Sequence, residues 1–138
     1  MAYKLLIVED EKEKATGIAY LTGKYNPECR PVLLAHDGRE GYEKATAEQP
    51  DIIVTDIRMP EMDGLEMIRE LKKAGCSAEF IVLSGYAEFS YAKKGNRTGS
   101  QRFITKPVDE KELSETITRV CGEIATRRKT QDSLGKIE

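Results

Sequence analysis

The sequence predicts an α/β fold in which a single parallel sheet is covered by helices on both faces. Five short apolar segments alternate strictly with segments whose apolar residues recur at helical spacing. This alternation is typical of strands joined by crossover helices in a parallel sheet. A chain of 138 residues is long enough to bury a core and suits one domain.

The boundaries of the predicted elements follow from turn and capping signals. Asn26-Pro27 ends the first helix, Asp37-Gly38 turns the chain into the second, and Gly75 ends the third. Asp109 is a suitable N-cap for the last helix. The predicted strands cover residues 3–8, 32–35, 52–55, 79–83 and 102–105, and the predicted helices cover 11–25, 39–48 and 65–75, with a fourth from 86 and a fifth after 109.

Right-handed crossovers leave few arrangements for five such strands. The favoured one is the flavodoxin-like, doubly wound (βα)5 three-layer sandwich with strand order 2-1-3-4-5. We expect this domain to span residues 1–123, followed by a charged tail or linker over 124–138. That tail could continue the last helix, lead to a further domain or be disordered. We expect the fourth helix to be short, because residues 94–100 are rich in poor helix formers.

Composition excludes several classes of function. A net charge of −2 gives no overall basic surface for nucleic acid, and no run of 18 apolar residues could span a membrane. The N-terminus lacks the pattern of a signal peptide, and neither a Rossmann nor a P-loop glycine motif is present. Cys29, Cys76 and Cys121 are widely spaced, so they indicate reduced cysteines in a cytoplasmic protein rather than a disulfide framework or a zinc site.

Polar side chains follow four of the predicted strands at the point where each strand ends. Glu9 and Asp10 follow the first, Asp56 the third, Ser84 the fourth and Lys106 the fifth. The carboxyl ends of parallel strands form one edge of the sheet, where ligands bind in open α/β folds. An acid after any single strand is common, because a strand must end in something polar. The joint pattern is what indicates a site.

These residue types suit phosphoryl transfer with a magnesium ion. Three converging carboxylates repel one another unless one is protonated or a cation lies among them, and Mg²⁺ prefers such oxygen ligands. Asp56 is the candidate nucleophile, since a carboxylate can attack phosphorus to form an aspartyl phosphate. Lys106 would place positive charge on a phosphoryl oxygen, and the Ser84 hydroxyl would donate a hydrogen bond to another.

The chain resembles the receiver domain of bacterial two-component response regulators over roughly residues 4–121. The motifs that carry this resemblance are Ile7-Val8-Glu9-Asp10-Glu11, Asp56-Ile57-Arg58-Met59-Pro60 with Asp63-Gly64, Leu83-Ser84-Gly85-Tyr86, and Lys106-Pro107. The resemblance implies a phosphorylation-dependent switch rather than an enzyme, in which a partner histidine kinase phosphorylates Asp56. It implies Mg²⁺ as the cofactor, held by Glu9, Asp10, Asp56 and the backbone carbonyl of Arg58, with Glu9 acting mainly through water.

The same resemblance assigns the switch to Ser84 and Phe103, which would relay the state of Asp56 and Lys106 to an output surface. It implies dimerisation through the face of the fourth helix, fifth strand and fifth helix, which the unusual residues 95–100 put in doubt. The run from Ser84 to Lys94 is similar to receivers that precede a DNA-binding helix-turn-helix domain, so transcription regulation is the expected output. This domain itself is expected to bind neither DNA nor membrane.

Two other classes of protein remain open at this point. A Mg²⁺-dependent phosphatase would use Asp56 as nucleophile, but such enzymes usually carry a general acid two residues later, where this chain has Arg58. A pseudo-receiver would bind partners without phosphorylation, although the complete set of acids, hydroxyl and lysine speaks against it.

Overall fold

The chain folds into a five-stranded parallel sheet in the order β2-β1-β3-β4-β5, as the sequence predicts. The computed structural model describes residues 2–85 and 101–137, with the backbone alone at 101 and 131–137. The strands are β1 (Tyr3–Val8), β2 (Cys29–Ala35), β3 (Ile52–Asp56), β4 (Glu79–Ser84) and β5 (Gln101–Thr105), and the helices are α1 (Lys12–Tyr25), α2 (Gly38–Glu48), α3 (Gly64–Lys73) and α4 (Glu110–Ile137).

Two apolar clusters, one on each face of the sheet, form the core. Leu5 and Ile7 of β1 belong to one cluster and Leu6 and Val8 to the other, as expected when successive side chains of a strand point to opposite faces. All four side chains are fully buried. The first cluster includes residues of α1 and α4, and the second includes residues of α2 and α3. The arrangement is therefore the predicted three-layer sandwich.

The edge strand β2 begins at Cys29, three residues before the predicted start. The register between β1 and β2 shifts at this point, because Tyr3 pairs with Cys29 whereas Leu5 pairs with Val32. The shift allows the exposed Arg30 and Pro31 to lie within the strand. Proline lacks the amide proton of a sheet hydrogen bond, so it is tolerated on an edge strand or at a bulge. The prediction missed these residues because arginine is charged and proline is uncommon within strands.

Aspartate caps fix where three of the helices begin. The carboxylates of Asp37, Asp63 and Asp109 each accept a hydrogen bond from the backbone N–H three residues later. Gly75 lies just beyond α3 with a φ of 85°, a conformation that glycine adopts without steric cost. The predicted N-cap at Asp109 and the predicted stop at Gly75 are both confirmed.

The last helix, α4, continues through the charged tail to Ile137. Arg127 forms an ion pair of 3.0 Å with Glu79 of β4, and Arg128 pairs with Asp51 just before β3. These contacts fasten the helix to the amino-terminal edge of the sheet. The helix passes residue 123 without a break, and the division of the chain at that point stays a prediction.

The predicted fourth helix and residues 95–100 lie outside the described part of the chain. The dimer face inferred from the resemblance includes that helix, so dimerisation also stays a prediction. Within residues 2–85 and 101–137, no helix combines the length and the apolar character needed to cross a membrane.

Candidate functional site

Three carboxylates meet at the carboxyl edge of the sheet. Glu9 and Asp10 follow β1, and Asp56 ends the neighbouring strand β3, where Val8 pairs with Thr55. One oxygen from each carboxylate lies within 4.8 Å of the other two. Glu9 and Asp56 are buried and Asp10 is exposed, so the cluster opens to solvent on the side of Asp10. The sequence predicted this convergence, and the parallel register of β1 and β3 produces it.

Asp56 is held by a hydrogen bond to each of its carboxylate oxygens. Oδ1 accepts a hydrogen bond from the backbone N–H of Ile57 at 2.7 Å, and Oδ2 accepts one from Lys106 Nζ at 2.7 Å. Asp56 is 5% exposed, whereas the side chain of Lys106 is 30% exposed. Lys106 therefore neutralises a nearly buried acid, although its own side chain remains partly exposed.

The peptide chain also fixes Lys106 relative to β4. Its backbone N–H donates to the carbonyl oxygen of Ser84 at 2.7 Å, immediately after the paired residues Ser84 and Thr105. The Lys106-Pro107 peptide bond is cis. The predicted lysine and the predicted hydroxyl thus lie on adjacent strand ends.

Glu9 is the most electrostatically perturbed group of the site. Glu9 is only 3% exposed, and its Oε1 has no hydrogen-bond partner among the described residues. Several causes together raise the pKa of Glu9 to about 8. Burial is the largest, a hydrogen bond with Asp56 and repulsion from its carboxylate add to it, and Lys106 opposes them. Without a cation, the site keeps this carboxyl protonated at neutral pH.

A bound cation would relieve this perturbation. A buried carboxylate with an unpartnered oxygen, beside two further acids, is a set of hard oxygen donors of the kind that Mg²⁺ selects. A divalent cation would favour the ionised form of Glu9 and relieve its repulsion from Asp56. The residues present therefore fit the metal that the sequence predicts.

Ser84 ends β4, and Phe103 lies in the middle of β5, the next strand of the sheet. Ser84 is fully buried, and its hydroxyl oxygen finds no hydrogen-bond partner among the described residues. Asp56 pairs with Leu83 of the adjacent strand, so Ser84 lies one residue beyond the level of Asp56. Phe103 is half-buried and packs against the cluster on the α2 and α3 face. The hydroxyl is thus available for a new partner beside Asp56.

Gly64 is a site residue whose role the sequence analysis did not identify. Its N–H donates to the carbonyl oxygen of Ile57 at 2.7 Å and closes the loop after β3. A Cβ at this position would lie 2.1 Å from the backbone oxygen of Asp56. Only glycine allows this close approach to the Asp56 carbonyl oxygen. The sequence signal that could have pointed to Gly64 is the adjacent helix cap, Asp63. Arg58 within the loop is exposed, and the role of its carbonyl stays a prediction.

The family model for the response regulator receiver domain matches residues 5–118 of this chain. The match covers most of the 138 residues and includes every candidate residue of the site. The chain therefore belongs to the response regulator receiver domain family, as its fold and its strand-end residues indicate.

Relatives and solved structures agree with this assignment. The uncharacterized transcriptional regulatory protein YesN of Bacillus subtilis is 35% identical over 122 residues, which are 88% of this chain and 33% of YesN. The transcriptional regulatory protein HptR of Staphylococcus aureus is 28% identical, over 86% of this chain and 46% of HptR. The chain thus spans between a third and a half of these relatives.

Among solved structures, the receiver domain of AraT, a response regulator from Geobacillus stearothermophilus, superimposes with a TM-score of 0.83 at 30% identity. The match covers 93% of this chain and 99% of that domain. A two-component transcriptional regulator from Clostridium phytofermentans gives the same TM-score at 26% identity, over 92% of this chain and 98% of that one.

Proposed function

We propose that Asp56 accepts a phosphoryl group from a phosphohistidine of a partner kinase. The carboxylate oxygen forms a bond to phosphorus as the bond between phosphorus and the histidine nitrogen breaks, and the imidazole leaves as a neutral group after taking up a proton. The observation that carries the proposal is the pairing of Asp56 with Lys106 at 2.7 Å, beside two buried polar atoms that have no hydrogen-bond partner in residues 2–85 and 101–130, Glu9 Oε1 and Ser84 Oγ. These atoms are available for a phosphoryl group and its counterion.

Lys106 serves the reaction through charge. Its ammonium group already contacts the accepting carboxylate, so an incoming phosphoryl oxygen would meet a nearby positive charge without rearrangement of the backbone. A compact ammonium on a flexible stem can move from the carboxylate to the phosphoryl oxygen as charge shifts between them. Ile57 N–H meanwhile keeps Asp56 Oδ1 oriented.

We assign Mg²⁺ to Glu9, Asp10, Asp56 and the backbone carbonyl of Arg58. Bound there, the ion would neutralise charge on the transferring phosphoryl oxygens. Asp10 is exposed and Glu9 is buried, so Asp10 would present its carboxylate from the solvent side and Glu9 from the interior. The chain supplies the donors, and the substrate phosphate completes the set.

Ser84 and Phe103 would convert phosphorylation into a change of surface. The buried Ser84 hydroxyl gains an acceptor when a phosphoryl oxygen arrives, which favours movement of the end of β4 toward Asp56. Phe103 lies half-buried on the neighbouring strand, where its ring can occupy space that this movement opens. The phosphoryl group thereby biases a two-state equilibrium through contacts made in one state alone.

An apolar groove next to the site provides a surface for the kinase. The groove measures about 800 Å³ and runs between α1 and the start of α4. Both Glu9 and Lys106 border it, so a helix seated there could present a phosphohistidine to Asp56. Tyr20 on α1 is 66% exposed at its rim and offers an aromatic anchor.

We further propose that the switch controls transcription in the cytoplasm through a DNA-binding region outside these residues. Two curated relatives that this chain matches over a third to a half of their length are named transcriptional regulatory proteins. The helix α4 leads out of the receiver fold and would transmit the state of the site.

The test is phosphorylation by a small acyl phosphate in the presence of Mg²⁺, followed by intact mass measurement. The native protein should gain the mass of one phosphoryl group, and Asp56→Asn should gain none. Asp63→Asn is the matched control, because asparagine also caps a helix and Asp63 lies outside the cluster. Equal labelling of Asp56→Asn and the native protein would refute the proposal, and steady turnover of phosphomonoesters would instead support a phosphatase.

A further inference from the structure

Two cysteines that are far apart in the sequence meet on the other side of the molecule. Cys29 opens β2 and Cys121 lies within α4, and their sulfur atoms are 3.9 Å apart. The residues are 2% and 6% exposed. A carboxylate oxygen of Glu28 joins them, so that the three potential ligand atoms lie within 4.8 Å of one another. This cluster plays no part in the chemistry proposed for Asp56.

The sulfur separation distinguishes between two uses of a cysteine pair. A disulfide requires the sulfurs at about 2.05 Å, so this pair would have to close by almost half its separation. Two thiolates on one tetrahedral zinc ion, each at about 2.3 Å from the metal, lie about 3.8 Å apart. The observed 3.9 Å, at which one thiol can donate a hydrogen bond to the other, is close to the second geometry and far from the first.

The surrounding hydrogen bonds hold the cluster in place. Glu28 accepts a hydrogen bond from Asn26 Nδ2 at 3.2 Å, and the backbone N–H of Cys29 donates to the Asn26 carbonyl at 2.9 Å. Asn26 Nδ2 also lies 3.0 Å from Thr118 Oγ1 of α4. Asn26 is 1% exposed, and its Oδ1 has no hydrogen-bond partner among the described residues. It would orient the carboxylate ligand as outer-shell partners of metal sites do.

We propose that Glu28, Cys29 and Cys121 form a binding site for a thiophilic divalent cation of the zinc class. Two thiolate sulfurs and one carboxylate oxygen supply three positions, and a water molecule supplies the fourth. Each thiol releases its proton to solvent as its sulfur binds the cation. Glu28 is half-buried, which leaves the cation a path from solvent.

The donor set separates this site from the acidic cluster. Soft sulfur ligands select zinc, cobalt and cadmium over magnesium, whereas the all-oxygen cluster at Asp56 has the opposite preference. Tyr3, at the start of β1, pairs with Cys29, so the cysteine site lies at the amino-terminal edge of the sheet and the acids lie at the other. The two cations would therefore bind independently.

A cation here would join β2 to α4. Cys121 lies three residues beyond the stretch that the family model matches, on the helix that continues to Ile137. Binding should fix this part of α4 against the sheet, next to the ion pairs of Arg127 and Arg128. The site would thus adjust how firmly the receiver fold holds its outgoing helix.

The experiment is a titration of the full, reduced chain with Co²⁺, followed by displacement with Zn²⁺. One equivalent of Co²⁺ should produce a near-ultraviolet charge-transfer band from thiolate ligands together with the visible bands of a tetrahedral ion. Zn²⁺ should abolish these bands, and excess Mg²⁺ should leave them unchanged. Cys29→Ala and Cys121→Ala should each remove the two-thiolate spectrum, and Cys76→Ala is the matched control that should retain it.

Glu28→Gln provides a second variant, because it keeps both thiols and changes a half-buried residue. It should weaken Co²⁺ binding at least about 10-fold, since even outer-shell partners of a metal site contribute that much. Asp56→Asn should bind Co²⁺ at the thiolates as the native chain does. The proposal is wrong if the native protein shows no thiolate band, if the band survives loss of Cys29 and of Cys121, or if it depends on Cys76.

Discussion

Replacing Glu9 with glutamine is expected to stabilise the metal-free protein by an amount that grows with pH. The folded protein holds this carboxyl protonated up to a pKa of about 8, compared with 4.5 for an ordinary glutamate. The folded state therefore binds the Glu9 proton more tightly than the unfolded state does. Between pH 4.5 and about pH 8, the unfolded state releases the Glu9 proton whereas the folded state retains it. The free energy of unfolding therefore falls as pH rises through this range.

The size of the effect follows from the two pKa values. Between pH 5 and pH 7, the linkage relation gives a loss of about 2.5 kcal/mol from Glu9 alone. Glutamine carries no titratable proton, and its amide can donate to Asp56 as the protonated carboxyl does. The difference in unfolding free energy between Glu9→Gln and the native protein should grow by that amount over this range and level off above about pH 8.

The assay is urea unfolding at several pH values in the presence of a chelator, with both proteins measured side by side. Glu13→Gln is the control, because it makes the same change at an exposed position of α1 and should show no such growth with pH. Saturating Mg²⁺ should reduce the difference, since a cation favours the ionised carboxylate. A difference that stays constant with pH, or that shrinks as pH rises, would contradict the assignment of a raised pKa to Glu9.

The remaining predictions concern two glycines and the cysteines. Gly64→Ala should destabilise the protein by at least about 2 kcal/mol in urea unfolding, because its Cβ would lie 2.1 Å from the Asp56 carbonyl oxygen. Gly17→Ala, where a Cβ meets nothing within 4 Å on α1, should instead stabilise it by about 0.5–1 kcal/mol. In timed alkylation of the native protein, half-buried Cys76 should react well before Cys29, whose pKa burial raises; similar rates would refute this ordering.

The strand ends were predictable because the relevant information is local. Each apolar run and the polar residue that follows it are adjacent in the sequence, and the parallel arrangement then brings Glu9, Asp56 and Lys106 to one edge. The strand order followed from alternation and the handedness of crossovers, neither of which requires knowledge of side-chain packing. The caps at Asp63 and Asp109 are equally local signals.

Features that depend on packing between distant segments were not predictable. Cys29 and Cys121 are 92 residues apart and meet only because α4 lies against the start of β2. No pair of cysteines is close along the chain, so the sequence did not predict a zinc site. The high pKa of Glu9 likewise depends on burial by several elements together. The close approach at Gly64 required the path of the loop after β3.

The conformation of the C-terminal tail is another feature that depends on contacts with distant segments. Residues after 124 are charged, and the sequence left a helix, a linker and disorder open. The backbone remains helical to Ile137, and the ion pairs of Arg127 with Glu79 and Arg128 with Asp51 connect it to the sheet. Those partners lie 48 and 77 residues earlier in the chain, so only the folded arrangement brings them together.

The most direct test of the central claim identifies the phosphorylated residue itself. The protein is phosphorylated with an acyl phosphate and Mg²⁺, reduced with borohydride and digested, because reduction converts an aspartyl phosphate to homoserine. Peptide mass spectrometry should find homoserine at Asp56 and aspartate at Asp10 and Asp51. Homoserine at Asp10 or Asp51 together with unchanged aspartate at position 56 would contradict phosphorylation of Asp56. So would the absence of homoserine from a protein whose mass had confirmed the labelling.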